Sequence, residues 1–418
     1  MREGVTLVQR FHSKFTLLAA VLLTAVTSTA HSAQTEQSAN VTPVIVISLD
    51  GFRHDYIAKF NPPHISQLAE RGTVAHLEPV YPSKTFPNHI SLATGLYPSR
   101  HGIIDNYFYD TERNDFYGMG KGYDDSTWLD GIPIWNLAEQ QGLRAATYFW
   151  PESDARVNGM SPSYFYRYSH NASPKKRIEQ IIRWLQQPDE SRPALIMSYF
   201  HQIDSAGHRH GPNGAGTRAA VHYIDGLIGQ LVDELARLEL EANIILVADH
   251  GMLETRSDDA IHVDTLPLPD GFERVHNSTR VMYYAKNDTA KAQLSALKQQ
   301  LDSLELAVDI NTIDAMNRAG YQESSRSGDL IIDARPPVTF SGREIKPGRV
   351  SGTHGYSGIA EMDAAFIAVG PAFSPDRKIE RLRVIDVYPL IAKLLDLRVV
   401  EPIDGNENAI LPLLETTE

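Results

Sequence analysis

Short apolar runs, rich in β-branched residues, recur along the chain and alternate with segments of helical spacing. The runs are VIVISL (44–49), AATYF (145–149), ALIMSYF (194–200), NIILVA (243–248) and AAFIAV (364–369). Because they lack polar alternation, they predict strands that are buried on both faces of a sheet. The helical segments are 63–71, 175–186, 217–238 and 384–397. Together they predict an α/β sandwich whose central, mostly parallel sheet is flanked by helices.

The segment from about 253 to 345 departs from this alternation. It contains a strand-like run, RVMYYAK (280–286), a helical pattern over 289–304, and turns rich in proline and glycine. We therefore expect a smaller subdomain inserted into the main fold at this point. No linker rich in glycine, serine or proline divides the chain further, so residues 34–418 are expected to form one domain that carries the insertion.

The first 33 residues have the pattern of an export signal. Arg2, Arg10 and Lys14 precede the apolar run FTLLAAVLLTAV (15–26), and small residues follow it. A helix over this run would span ~18 Å, less than the ~30 Å of a hydrocarbon core. The pattern predicts a signal peptide over 1–33 that is cleaved from a secreted protein, with a bacterial periplasm as the favoured location. The alternative is an uncleaved N-terminal anchor.

Composition limits the chemistry that the chain can support. The sequence has no cysteine and a formal net charge of −13. Any metal ligands must therefore be histidines and carboxylates, because thiolates are absent. An acidic chain lacks the broad basic face that nucleic-acid duplexes require, so duplex binding is not expected. A small anionic substrate remains compatible with the charge, since bound divalent metals would supply a local positive centre.

Carboxylates and histidines follow several of the predicted strands. They are Asp50 after the first run, Asp204 and His208 after the third, Asp249 and His250 after the fourth, and His354 in SGTHGYSG just before the fifth. In an open α/β sheet, ligands bind beyond the carboxyl ends of the strands. Taken singly, such an aspartate is commonly a turn or capping residue, and such a histidine is commonly a surface residue. Their coincidence at several strand ends predicts a site for zinc or a similar divalent ion.

Five stretches that contain these residues occur in a familiar order. They are LDGFR, PSKTFPNHISLATGLYPSRHGI, YFHQIDSAGHRHGP, ILVADHGM and GTHGYSG followed by MDAAFIAVGP. Over roughly residues 43–396 the chain resembles the nucleotide pyrophosphatase/phosphodiesterase family of the alkaline phosphatase superfamily. The resemblance implies an alkaline-phosphatase-like fold, a threonine nucleophile at Thr85 and two zinc ions as cofactors. It implies one zinc held by Asp204, His208 and His354, and a second held by Asp50, Thr85, Asp249 and His250. It further implies that Asn106 donates to a phosphoryl oxygen.

The local sequence around Thr85 agrees with that role. A free threonine hydroxyl is a poor nucleophile, and coordination to a metal lowers its pKa. Pro87 is favoured in the first turn of a helix, so TFPN predicts a helix start whose free N–H groups would favour phosphate. The alternative is that Thr85 only caps this helix.

The resemblance implies hydrolysis by double displacement. Thr85 attacks phosphorus in line, and water then attacks the threonyl-phosphate intermediate. We expect a nucleotide or another phosphodiester as substrate, with release of a nucleoside monophosphate. No clear pair of basic residues stands near the motifs to neutralise the extra charge of a phosphomonoester. Phe86 with Tyr164 or Tyr166 could stack on a nucleobase, although these tyrosines could equally be packing residues.

Three alternatives remain open at this point. The chain could be a phosphomonoesterase of the same superfamily. It could be a phospholipid-type diesterase, in which the aromatic residues bind an acyl chain or a quaternary ammonium group. From a different class, it could be a zinc-stabilised binding protein without catalysis, although the intact nucleophile and ligand set argue against that.

Overall fold

A computed structural model describes residues 41–312, 316 and 321–415 of the chain. The strands are β1 Val44–Leu49, β2 Thr73–Glu78, β3 Tyr107–Asp110, β4 Asp115–Gly118, β5 Ala145–Tyr148, β6 Tyr164–Tyr166, β7 Leu195–Phe200, β8 Asn243–Val247, β9 Leu253–Arg256, β10 Ala260–His262, β11 Phe272–Asn277, β12 Arg280–Ala285, β13 Val308–Thr312, β14 Leu330–Ala334, β15 Thr339–Ser341, β16 Val350–Thr353, β17 Ala364–Val369 and β18 Arg377–Arg383. The α-helices are Tyr56–Phe60, Pro63–Arg71, Thr85–Thr94, Pro98–His101, Ile134–Gln140, Pro174–Leu185, Gln202–His210, Ala215–Arg237, Asp288–Ala292, Leu294–Asp302, Val387–Leu394 and Glu407–Ile410. Short 3-10 turns, among them Val384–Asp386, connect several of these elements.

A central sheet of eight strands organises the fold, in the order β18-β2-β17-β8-β1-β7-β5-β6. The pairs β1–β7, β1–β8, β5–β7, β5–β6 and β18–β2 are parallel, and β17 runs antiparallel to both β2 and β8. The strands β1, β7 and β8 are buried along their whole length, as their continuous apolar sequences predict. The mostly parallel α/β sandwich expected from the sequence is therefore confirmed.

The apolar runs in the sequence did not predict the strands at and near the edges of this sheet. β2 has the sequence TVAHLE and alternates between buried and more exposed positions, so it lacks a continuous apolar run. β18 (RKIERLR) is mostly charged and exposed, because it forms one edge of the sheet. Edge strands commonly carry charges that block pairing with other chains. Their sequences therefore resemble surface loops more than core strands.

The segment that departs from the alternation builds a second, antiparallel sheet, ordered β11-β12-β14-β13. One face of this sheet packs on the helix Leu294–Asp302 in a separate cluster of buried apolar side chains. The helix predicted over 289–304 is in fact two helices, which meet at Gln293. The opposite face, with Val275 and Met282, packs against the β3–β4 hairpin and thereby reaches the helix Thr85–Thr94 through Ile90. The proposed domain bounds themselves stay a prediction.

Within the described part of the chain, no helix is both long and apolar enough to cross a membrane. The predicted signal peptide over 1–33 lies outside the described residues.

Candidate metal centre

The residues predicted at the strand ends converge at one edge of the central sheet. Asp50 follows β1 directly, Asp249 and His250 lie just beyond β8, and Asp204 lies in the first turn of the helix Gln202–His210 after β7. Because β17 runs antiparallel, the loop that precedes it reaches the same edge and carries His354 there. Asp50, Asp249, His250 and His354 are almost completely buried.

Asp50, Asp249 and His250 form the first of two candidate ligand groups, since their ligand atoms lie within 4.8 Å of one another. His250 Nε2 lies 2.9 Å from Asp249 Oδ2 and 3.5 Å from Asp50 Oδ1. The hydroxyl oxygen of Thr85 lies 3.4 Å from the same ring nitrogen. Thr85 therefore stands beside the ligand group that the resemblance assigns to it.

The second group comprises Asp204, His208 and His354. Asp204 Oδ1 lies 3.3 Å from His208 Nε2 and 3.6 Å from His354 Nε2, and the two imidazole nitrogens lie 3.2 Å apart. The rings of His250 and His354 stack with centroids 3.6 Å apart, so the two groups adjoin each other. His250 is also within ligand distance of Asp204 and His354, which makes it the residue between the two groups.

Hydrogen bonds fix which nitrogen of each histidine faces the carboxylates. Nδ1 of His208 lies 2.8 Å from the Gly352 carbonyl oxygen, and Nδ1 of His354 lies 2.9 Å from the Ser83 carbonyl oxygen. Nδ1 of His250 lies 2.9 Å from the carbonyl oxygen of Gly251. Since a carbonyl oxygen can only accept, each Nδ1 must donate its proton. In the neutral ring, Nε2 then carries a lone pair that faces the carboxylates, which is the arrangement of metal-ligating histidines.

This arrangement fits bound cations and is poorly satisfied without them. Asp50 Oδ1, Asp204 Oδ1 and Asp249 Oδ2 are buried and accept no hydrogen bond. Burial and the neighbouring charges of Asp249 and Asp204 raise the pKa of Asp50 well above its usual value. A divalent ion in each group would offset the repulsion and coordinate the orphaned oxygens. The donor set of imidazole nitrogens and carboxylate oxygens suits zinc and similar divalent ions.

A layer of side chains that sequence reasoning missed holds the ligands in place. Tyr199 donates a hydrogen bond from its hydroxyl to Asp50 Oδ2. His89, one turn after Thr85, has Nδ1 2.8 Å from the Thr85 carbonyl oxygen and 3.4 Å from Asp249 Oδ2, and its Nε2 lies 2.7 Å from the Ser48 hydroxyl. Burial lowers the pKa of His89, although Asp249 opposes this shift. The i to i+4 spacing of Thr85 and His89 on a predicted helix was the available signal for this contact.

Thr85 begins the helix Thr85–Thr94, as TFPN predicts, and it is partly exposed. Asn106 lies close to this helix start and accepts a hydrogen bond on Oδ1 from the Phe86 amide, at 2.8 Å. Because the carbonyl oxygen of the Asn106 side chain is used in this way, its amide NH₂ group is the part left to donate outward. Phe86 is partly exposed beside the nucleophile position.

The three tyrosines that follow β5, at positions 164, 166 and 168, have different surroundings in the structure. Tyr164 donates to Gln187 Oε1 at 3.0 Å, and Tyr166 stacks on Tyr148 with centroids 4.4 Å apart. Both lie on the edge strand β6, and their rings also lie near Trp184. Tyr168, which was not predicted, is half exposed and its ring lies 6.2 Å from Tyr199, the partner of Asp50. Tyr168 is therefore the tyrosine of this stretch that contacts the layer around the ligands.

An α/β sandwich with paired carboxylate–histidine groups beyond the carboxyl ends of its strands defines a protein with a candidate two-metal centre. Comparison with known proteins gives the family. The model of the type I phosphodiesterase/nucleotide pyrophosphatase family matches residues 44–357. The chain belongs to this family.

Individual relatives agree with that assignment. Family member 3 of the ectonucleotide pyrophosphatase/phosphodiesterases from Bos taurus is 32% identical over 93% of this chain and 46% of its own length. Venom phosphodiesterase CdcPDE from Crotalus durissus collilineatus is 33% identical over 89% of this chain and 46% of its own length. The chain thus spans about half the length of the curated relatives that it matches.

A solved structure extends the comparison to the fold. Murine ectonucleotide pyrophosphatase/phosphodiesterase 5, an inactive variant in complex with AMP, superposes with a TM-score of 0.82 at 26% identity. The alignment covers 90% of this chain and all of that one. The alkaline-phosphatase-like fold expected from the resemblance is therefore confirmed.

Proposed function

We propose that this chain hydrolyses phosphodiester or pyrophosphate bonds of nucleotides and releases a nucleoside monophosphate. The observation that carries the proposal is the position of Thr85, at a helix start and beside two adjoining groups of carboxylates and histidines. The family assignment supports it, and so does the relative that was solved with AMP.

The two groups would hold two zinc ions. Asp50, Thr85, Asp249 and His250 would hold one of them, and Asp204, His208 and His354 would hold the other. When bound, such ions lower the pKa of a coordinated hydroxyl or water and neutralise charge on a phosphoryl group. The orphaned carboxylate oxygens and the inward-facing Nε2 atoms support this assignment.

The residues of the chain divide the remaining work. Thr85 Oγ1 attacks phosphorus in line with the bond that breaks, which gives a threonyl-phosphate intermediate, and water then releases the nucleoside monophosphate. The helix start presents backbone N–H groups to the phosphoryl oxygens. His89 bonds to the Thr85 carbonyl oxygen and thereby fixes the backbone that carries the nucleophile.

Asn106 would donate from its amide NH₂ to a phosphoryl oxygen. We expect Asn106→Ala to lower kcat on a nucleotide diester by ~10- to 100-fold, because one donor to the transition state is lost. An Asn106→Asp variant should not restore the rate, since its carboxylate would repel the phosphate. Steady-state kinetics with circular dichroism as a folding control test this prediction, and an unchanged kcat would contradict it.

A preference for diesters follows from how Lys84 is placed. Lys84 is the cation adjacent to Thr85, but it is buried and its Nζ donates to the His354 carbonyl oxygen at 2.8 Å and to Ser278 Oγ at 3.0 Å. Burial lowers its pKa to about 8. Lys84 is therefore engaged with protein acceptors, whereas a phosphomonoesterase needs free donors for the extra phosphoryl charge.

We therefore predict that kcat/KM on the p-nitrophenyl ester of thymidine monophosphate exceeds that on p-nitrophenyl phosphate by ~100-fold or more. This ratio corresponds to ~3 kcal/mol of transition-state binding. Both substrates release the same chromophore, so one assay at one pH and one zinc concentration measures the ratio. A preference for the monoester would favour the phosphomonoesterase alternative.

The nucleobase of the substrate would bind between aromatic rings. Phe86 and one tyrosine of the 164–168 stretch would stack on the base, and the contacts of Tyr168 with Tyr199 and His201 favour Tyr168 over Tyr164 and Tyr166.

Residues 1–33 would be removed as a signal peptide, which would leave 34–418 as a secreted or periplasmic catalytic domain with an insertion near 253–345.

A further inference from the structure

Two histidines outside both candidate ligand groups stack on each other beside Tyr168. The rings of His170 and His201 lie nearly face to face, with centroids 4.3 Å apart and planes 26° apart. His170 is exposed to solvent, whereas His201 is buried. We call these two residues the histidine pair. The pair connects the surface of the protein to its interior, next to the tyrosine that we place on the nucleobase.

The inner member, His201, is fixed at the start of the helix Gln202–His210. Its Nε2 lies 3.2 Å from the His170 carbonyl oxygen and 3.0 Å from the side-chain amide of Gln202, and its Nδ1 lies 3.0 Å from the Ser205 hydroxyl. Since a carbonyl oxygen only accepts, Nε2 of the neutral ring donates to it and Nδ1 accepts from Ser205. Burial and the neighbouring His170 lower the pKa of His201 to about 4, so the ring is neutral near neutral pH and does not repel His170.

The outer member, His170, lies in a turn that is tied to the central sheet. The Ala172 amide donates to the Ser169 carbonyl oxygen at 3.1 Å and closes the turn. Arg177, whose side chain is buried, donates from Nη1 to the Tyr199 carbonyl oxygen at 2.8 Å and from Nη2 to the Ala172 carbonyl oxygen at 3.3 Å. One arginine thus joins the turn to the end of β7. The backbone that carries His170 is therefore held in place, although its ring is exposed.

The histidine pair holds Tyr168 by its hydroxyl end. The hydroxyl oxygen of Tyr168 lies 3.0 Å from His170 Nδ1. The rings of Phe149, His201 and Tyr199 lie 5.4, 6.1 and 6.2 Å from the Tyr168 ring, and all three meet it edge-on or tilted. Among the described residues, no ring stacks on the face of Tyr168, which is 51% exposed. A residue that stacks on a base needs a free face and a fixed orientation, and Tyr168 has both.

Fixing this ring in advance changes the affinity for a base. An exposed side chain that is free in the unbound protein loses rotamer freedom when a ligand stacks on it, and this loss weakens binding by ~2- to 10-fold for each such side chain. A tyrosine that is already tied at its hydroxyl avoids most of that loss. The hydrogen bond to His170 therefore acts on the binding of the base and not on the reaction at phosphorus.

We propose that His170, stacked on His201, is a positioning residue that fixes the Tyr168 ring in the orientation that stacks on the nucleobase. The inference rests on the proposed function, because it takes Tyr168 as the tyrosine that binds the base. It assigns the histidine pair to the recognition of substrates that carry a nucleobase. Substrates without a base should not depend on the pair.

The test compares two diesters that share a leaving group and differ in the base. One is the p-nitrophenyl ester of thymidine monophosphate, and the other is methyl p-nitrophenyl phosphate, which carries no base. In His170→Ala we expect KM on the nucleotide ester to rise ~3- to 10-fold, because Tyr168 must then be ordered on binding. We expect kcat on that ester, and both constants on the methyl ester, to change by less than ~2-fold, since His170 does not act on the phosphoryl group.

A double variant shows whether His170 acts through Tyr168. Tyr168→Phe keeps the ring and removes the hydroxyl, so it should raise KM on the nucleotide ester by the same factor as His170→Ala. Adding His170→Ala to Tyr168→Phe should then change KM by less than ~2-fold, whereas two independent effects would multiply. His222→Ala removes a partly exposed histidine from the helix Ala215–Arg237 and should leave KM unchanged.

Binding supplies a second measurement that needs no turnover. In a Thr85→Ala background, titration calorimetry should show AMP binding ~3- to 10-fold more weakly when His170 is replaced with alanine. Inorganic phosphate should bind equally well with and without this replacement. Thermal melts of each variant check that the fold is retained.

The outcomes separate the role of His170 from the proposed function. A rise in KM that is confined to the nucleotide ester, and that disappears in the Tyr168→Phe background, supports the inference. An unchanged KM on the nucleotide ester, or an equal loss on both esters, contradicts it. If the unmodified chain hydrolyses neither ester, the proposed function itself fails, and that result is seen without any variant of the histidine pair. The AMP titration then still decides whether His170 positions Tyr168 for a base.

Discussion

Replacing Thr85 with alanine should lower kcat on a nucleotide diester by ~10⁴-fold or more, the scale seen when a covalent nucleophile is removed. The hydroxyl lies beside the first ligand group, 3.4 Å from His250 Nε2, and alanine keeps the helix start while it deletes that oxygen. The side chain is partly exposed and is not part of a buried cluster, so stability should change by less than ~1 kcal/mol. Stopped assays on a p-nitrophenyl nucleotide ester and a thermal melt measure the two effects.

Two further variants make the Thr85 result specific. Thr85→Ser retains a hydroxyl at the same position and should keep a measurable fraction of the rate, whereas Thr85→Val keeps the shape and should not. A brief incubation of the active chain with a substrate labelled at the phosphoryl group, followed by acid quenching, should trap the label on Thr85. Turnover in Thr85→Ala equal to that of the unmodified chain would overturn Thr85 as the nucleophile.

The convergence of these carboxylates and histidines could be predicted because it depends on a general property of α/β sheets. Parallel strands bring their carboxyl ends to one edge, so Asp50 after β1 and Asp249 after β8 were expected at the same edge, and the pairing of β1 with β8 places them side by side. His354 was harder to place from strand ends alone, since it precedes a strand. It joins the others because β17 is antiparallel, which single-sequence periodicity does not reveal.

Residues that contact the candidate ligands, or that contact the neighbours of those ligands, could not be predicted in the same way. Tyr199 lies within β7, a strand that is buried along its whole length, and only the folded register brings its hydroxyl to Asp50. The choice among tyrosines 164, 166 and 168 depends on where β6 ends. The three tyrosines alternate along the sequence, but the strand stops at Tyr166, and the Tyr168 ring lies near Tyr199 and His201.

A surface groove lined by Arg256, Arg343, Lys346 and Arg349 shows the same limit at larger scale. The four residues are spread over more than ninety positions, within and just beyond the segment of about 253–345 that the sequence predicts as an insertion. The pairing of β9 with β16, and of β10 with β15, brings them to one surface. The net charge of the whole chain argues only against broad nucleic-acid binding. It does not show which charged residues the fold brings together on one surface.

Removing one ligand from each group should remove one metal at a time. We expect His354→Ala to retain one zinc equivalent of two, because Asp204 and His208 alone leave the second group one ligand short. Asp249→Asn should likewise retain one equivalent, since Asn keeps the shape but supplies a neutral oxygen. The double variant should retain none. Either single variant should lose ~10³-fold or more in kcat, because a two-ion centre stabilises the attacking and leaving oxygens together.

Elemental analysis of the purified, desalted variants gives the stoichiometry independently of activity. His222→Ala removes a histidine from the helix Ala215–Arg237, away from both ligand groups, and should keep two equivalents. Thermal melts with and without chelator add a second readout, because bound ions would offset repulsion among Asp50, Asp204 and Asp249. Two equivalents in the double variant would overturn the ligand assignment even if activity were lost. One equivalent in each single variant and none in the double would instead require two separable ions, which a single structural metal does not explain.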